Sequence, residues 1–208
     1  MPYFSHLDPL SELVSAMLSH RTKNADSHRA FQQLTQRFPN WAAVKQAPTA
    51  AVQEAIACCT WPEQKALRLQ QVLRLIAARG EWSLDFLGEM PIPEARSWLE
   101  SLPGVGPKTS AAVLSFSRLR LPCLAVDSHH HRVAQRLGLI ASQVSVGPAH
   151  ARLASLLPEN WSAQQVYDHH EVMMLHGQRC CTYRSPNCQG CPLLELCPFG
   201  EALLNPVR

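Results

Sequence analysis

Apolar residues recur at three- and four-residue intervals along nearly the whole chain, and no stretch alternates as a half-buried strand does. Leu10, Leu13, Val14 and Met17 share one face of a first helix that Asp8-Pro9 starts and that runs to about residue 18. Asn24 reads as the cap of a second helix ending near Phe38, and short helices are expected over 41–46 and 50–57. A longer one spans 62–79 and stops at Gly80. The same periodicity predicts helices over 93–101, 107–117, 128–137, 148–156 and 162–175, with a short turn between Cys191 and Cys197. The fold class expected is all-α, and 118–122 is the best candidate boundary.

Composition narrows the class. At 208 residues the chain has room for one large domain or two small ones. Its 46% hydrophobic and 17% charged residues describe a folded protein, not a disordered one. A net charge of +3 permits a polyanionic partner without demanding one. No apolar run approaches the ~20 residues of a membrane span, and Met-Pro-Tyr-Phe-Ser-His lacks the features of a signal peptide. A cytoplasmic location follows as the expectation, with cysteines reduced or bound to metal.

Two local patterns carry chemistry. Leu102-Pro103-Gly104-Val105-Gly106-Pro107-Lys108-Thr109 joins two predicted helices. Gly104 and Gly106 permit a tight turn with exposed amides, and Pro107 suits the first helical position. Such a turn aims N–H groups and the positive end of a helix dipole at an anion, most naturally a phosphate. Lys108 sits on that first turn, one of four lysines in a chain with fifteen arginines. That choice suggests chemistry needing an amine. Nineteen residues later comes Asp127, in Ala-Val-Asp-Ser-His.

The second pattern is Cys181, Cys188, Cys191 and Cys197, spaced C-x6-C-x2-C-x5-C. Four thiolates so close can hold zinc or an iron–sulfur cluster, and spacing alone leaves both open. Cys58, Cys59, Cys123 and Cys180 fall outside it and read as buried small apolar residues. His129-His130-His131 cannot converge on one ion, because helical neighbours point about 100° apart. Asp168, His169 and His170 read as part of a buried helix.

The hairpin with Lys108, Val126-Asp127-x-His129, Arg132-Val133, Leu175-His176-Gly177 and the four cysteines together resemble the endonuclease III family of base-excision DNA glycosylases, over about 8–197. The resemblance implies two helical domains flanking a DNA-binding cleft. One is a six-helix barrel over 8–121 with the helix–hairpin–helix; the other is an iron–sulfur domain over 122–208, with 1–7. It implies Lys108 as nucleophile, Asp127 as essential carboxylate, and a [4Fe–4S] cluster on Cys181, Cys188, Cys191 and Cys197. DNA contacts are expected from Leu102, Pro103, Gly104, Val105, Gly106 and Thr109, from His20 and Arg21, and from Arg184. The partner implied is double-stranded DNA with damaged bases or abasic sites, bound by a monomer. The implied activity is removal of oxidised pyrimidines followed by β-elimination through a lysine Schiff base.

The chain departs from the family pattern at loops expected to face DNA. Ser19-His20-Arg21-Thr22 stands where relatives read Ser-x-Gln, which makes Arg21 a candidate for filling the gap left by a flipped base. Thr60-Trp61-Pro62 replaces a Gly-aromatic-Tyr string, leaving Trp61 either to stack on DNA or to fill the core. A leading helix found in many relatives has no counterpart, and only eleven residues follow Cys197. Two other functions compete: a mismatch adenine glycosylase, and a degenerate iron–sulfur module that binds DNA without chemistry. Lys108 and the short tail speak against the first; abasic-DNA binding without nicking would mark the second.

Overall fold

The structure, a computed structural model, describes residues 7–205 and is helical without strands over them. Eleven α-helices and two 3-10 turns are present among the described residues. The chain divides between Leu121 and Pro122 into two compact units. The expected grouping of 1–7 with the later residues falls mostly on 1–6, outside the described residues. Leu7 itself accepts a hydrogen bond from the Arg118 amide, 2.9 Å, within the first unit.

In the first unit, α1 (Pro9–Ser19) is the central helix. Asp8 caps it by accepting from the Leu10 and Ser11 amides, each at 3.0 Å. Leu10, Leu13, Val14 and Leu18 are sealed from solvent as α1 packs against α2 (Asn24–Arg37), α5 (Pro62–Ala77) and α7 (Pro107–Phe116). Short helices α3 (Trp41–Gln46) and α4 (Thr49–Ala55) cover α5, and α6 (Ile92–Glu100) pairs with α7 across the glycine turn. Glu100 Oε1 accepts from Ser110 Oγ at 2.6 Å and from Arg96 Nη2 at 3.1 Å, which pins the two arms of that hairpin together.

In the second unit, α8 (Ser128–Arg136) packs on α10 (Ala163–Arg179), with α9 (Val146–Ala154) and α11 (Pro198–Leu204) also against α8. Ser162 and Gln165 form a capping box at the start of α10. Leu124, Val126, Val133, Ile140, Val166 and Met173 belong to its core.

Several boundaries differ from expectation. Asn24 is the first helical residue of α2; the cap position belongs to Lys23, with no side-chain bond. Helix α10 continues four residues beyond Leu175, because Gly177 lies inside a helix–helix contact and does not act as a breaker. The 3-10 turn Asp85–Glu89 and helix α11 have no forecast counterpart. Cys58 and Cys180 are half-buried, not core residues, whereas Cys59 and Cys123 are buried as expected. No helix among the described residues is long and apolar enough to cross a membrane.

Candidate active site and metal centre

The glycine turn takes the shape its sequence predicts. Gly104 has φ +81°, a conformation costly for any residue with a Cβ, and Val105 N donates to Leu102 O at 3.1 Å to close the bend. Leu102 and Val105 are only 5% and 6% exposed, so their side chains anchor the turn and leave main chain for a ligand. Pro107 opens α7, with Lys108 next and half-buried. A Cβ on Gly104 would lie 2.1 Å from Arg68 Cδ: the Arg68 side chain runs across the turn, a neighbour that sequence spacing does not announce.

Thr109, just after Lys108, is buried, and its hydroxyl lies 2.7 Å from His20 Nε2. One ring nitrogen of His20 is therefore engaged inside the protein. Burial, then the nearby charges of Lys108, Lys65 and Arg68, push the His20 pKa down to about 4. Lys65, missed in the sequence, ties this region together. Its ammonium donates to Leu18 O (2.6 Å), His20 O (2.8 Å) and Thr22 Oγ1 (2.6 Å), while burial lowers its pKa.

Arg21 and Trp61 form the tip of this surface. Both adopt left-handed backbone, φ +50° and +52°, which non-glycine residues rarely do. The Arg21 guanidinium sits 5.8 Å from the Trp61 ring centroid. Thr60 staples the two loops, donating from Oγ1 to Arg21 O at 3.0 Å and from its amide to Thr22 Oγ1 at 3.2 Å. Trp61 is 48% exposed, which rules out a core-filling role.

In the second unit Asp127 is the N-cap of α8, its Oδ1 accepting from the His130 amide at 2.7 Å. The cap fixes the carboxylate's direction, and the chain places it half-buried. Glu171 on α10 stands nearby; burial, then the charges of Asp127 and Asp168, raise its carboxyl pKa. His129 approaches Arg132, Nδ1 to Nη2 3.2 Å, and Arg132 also donates to Gly177 O and Cys181 O. Within the triplet, His130 is fully buried and packs against His169 and His170. His131 bonds Val144 O at 2.8 Å.

All four cysteines of the spacing pattern line one cavity, joined by Cys180 and His176. Donors already converge on their sulfurs: Arg136 Nη1 on Cys181 Sγ at 3.2 Å, Leu193 N on Cys191 Sγ and Gly200 N on Cys197 Sγ, both at 3.4 Å. Burial first, then the thiols of Cys197, Cys181 and Cys191, raise the Cys188 pKa. Crowded thiols with N–H groups aimed at sulfur suit thiolates neutralised by a metal centre, so the donor set fits one. His176, Cys180 and Cys191 offer atoms within 4.8 Å of one another, a grouping that the four-cysteine spacing does not contain. Arg136 organises the loop, donating also to Thr182 O (2.8 Å) and Tyr183 O (3.1 Å), while Arg184 is exposed.

Residues 14–159 match the profile of the HhH-GPD superfamily base excision DNA repair protein. The chain belongs to that superfamily. Within it the chain falls in the endonuclease III family. It is 32% identical to endonuclease III of Bacillus subtilis over 94% of this chain and 84% of that protein. Identity to endonuclease III of Escherichia coli is 28%, over 93% and 85%. Its fold matches a solved structure of a trapped endonuclease III–DNA covalent intermediate, TM-score 0.81, 26% identical, covering 97% of this chain and 89% of that one. The activity class that goes with membership is a base-excision DNA N-glycosylase with abasic-site lyase activity.

Proposed function

We propose that this endonuclease III family member removes oxidised pyrimidines from double-stranded DNA and cleaves the resulting abasic site, with Lys108 as nucleophile and Asp127 as the essential carboxylate. The observation that carries this reading is Lys108 half-buried on the first turn of α7, directly after the glycine turn. Amides and the positive dipole end there suit a phosphate, which would bring the sugar backbone to the amine.

The neutral Lys108 amine attacks C1′ as the bond from C1′ to the base nitrogen breaks, and the base leaves with a proton. Asp127 stabilises the positive charge that builds on the sugar. Ring opening gives an iminium linking Nζ to C1′. Loss of a C2′ proton then expels the 3′ phosphate, and water releases the lysine. A free lysine is neutral only about once in 2,500 at pH 7, so the site has to favour the unprotonated amine. The target nucleotide leaves the base stack first, because C1′ is shielded inside a duplex. Arg21 and Trp61 are suited to occupy the space it vacates.

Cys181, Cys188, Cys191 and Cys197 would hold a [4Fe–4S] cluster. When bound, the cluster supplies a fixed cross-link that folds the loop carrying Arg184. The enzyme acts as a monomer in this reading. Borohydride reduction on abasic duplex tests the chemistry: the wild type is trapped covalently and Lys108→Gln is not. Trapping that survives Lys108→Gln rejects the lysine assignment. Base release from a panel of lesion-bearing duplexes tests the substrate class, and iron and sulfide analysis tests the cluster.

A further inference from the structure

The hydrogen bond between His20 and Thr109 joins segments 89 residues apart at 2.7 Å. On one side, Thr109 follows Lys108 in the first turn of α7 and is buried. On the other, His20 precedes Arg21, the residue stacked on Trp61 and stapled by Thr60. The backbone of the same histidine is held by Lys65, through His20 O at 2.8 Å. One residue thus links the loop tip to the turn that carries the amine.

We propose that His20 is a positioning residue for the lysine-dependent step: through Thr109 it sets the Lys108 turn against the Arg21–Trp61 tip. This rests on Lys108 being the nucleophile. Geometry is its basis, because Nε2 and the hydroxyl are in contact and both flanking backbones are independently anchored. The surroundings keep the contact in one form. Burial and three cations hold the imidazole neutral through the physiological range, leaving Nε2 able to accept the Thr109 proton. A small displacement of a reacting group can cost about a hundredfold in rate, so one such bond is enough to matter.

The test is single-turnover borohydride trapping at saturating enzyme on a preformed abasic duplex, beside affinity for a tetrahydrofuran-containing duplex. His20→Ala is expected to slow trapping between about tenfold and a hundredfold, with affinity unchanged within about twofold. His20→Gln, whose amide reaches the same hydroxyl, recovers most of the rate. Thr109→Val matches His20→Ala, and the double variant is no slower than either single one. Trapping by His20→Ala at the wild-type rate overturns the proposal. So does a loss confined to affinity, which would make His20 a DNA contact, or additive losses in the double variant. Should His20→Ala not fold, His20→Gln and Thr109→Val decide the matter by the same readouts. Lys108→Gln in parallel separates the two ideas: trapping there defeats the lysine assignment, whatever His20 does.

Discussion

Gly177 on α10 lies directly on His129 of α8: a Cβ at position 177 would meet His129 Cβ at 2.9 Å and the His129 carbonyl oxygen at 3.0 Å. The glycine is there for closeness, since its φ is not among the positive ones. The same contact lets Arg132 reach Gly177 O at 2.6 Å. Gly177→Ala therefore has to push α8 and α10 apart, at a cost of about 1–3 kcal/mol. Urea denaturation should show a lower midpoint with unchanged slope, and unchanged stability would refute the packing account.

Trp61 is expected to serve binding at the expense of stability. Its left-handed backbone costs roughly 1–2 kcal/mol for an L-residue and nothing for glycine. Trp61→Gly should leave the thermal midpoint unchanged or higher. Affinity for abasic duplex should fall by about 1–3 kcal/mol, the usual worth of one base–aromatic contact. A gel-shift titration and a melting curve settle both halves.

Acid should destabilise the protein through His130. Burial, then His169, His170 and His150, push its pKa down to about 3, against an unfolded value of 6.5. Between those values the unfolded chain holds more protons than the folded one, so stability rises with pH across that window. The contribution is complete above about 6.5 and lost as pH falls towards 3, amounting to a few kcal/mol. His130→Leu should flatten the acid limb of a stability-against-pH curve; a limb of unchanged steepness would exclude His130 as its source.

Arg68 lies across Gly104, so its charge is expected to join the amides of the turn on a phosphate. Each phosphate neutralised adds about 0.9 to the slope of log affinity against log salt. Arg68→Gln should reduce that slope by about one and weaken binding alike for all sequences. A sequence-dependent effect would point to base contact instead.

Much of this was legible in the chain itself. Periodicity places α5 well because it buries Ala66, Leu69, Val72, Leu73 and Ile76 at helical spacing. The bounds of α1 and α7, buried nearly all round, follow instead from Asp8-Pro9 and Pro107 at their starts, and the glycine turn follows from local backbone rules. Helix α11 and the Asp85–Glu89 turn escape notice because they are short and depend on contacts with distant segments. The same limit applies to the site. Lys108, Asp127 and the four cysteines are the proposed site residues that type and spacing single out in the sequence. Lys65, Arg68, Arg136 and the His20–Thr109 bond act across long sequence separations, where no local pattern exists to be read. Cys180 looked like a core residue by type, yet the end of α10 brings it to the wall of the cysteine cavity.

Lys65 holds the backbone of His20, whose ring contacts Thr109 after the hairpin, and in the proposed reaction a second primary amine near an open-chain sugar aldehyde would be a hazard. Its three N–H bonds each already have an acceptor, on Leu18, His20 and Thr22. To form an imine, that nitrogen would have to abandon all three and loosen the very loop it secures. With Lys108 as the proposed nucleophile, adduct mapping by mass spectrometry after reduction is accordingly expected to find a single modified peptide, the neighbouring amine being kept occupied by its own acceptors.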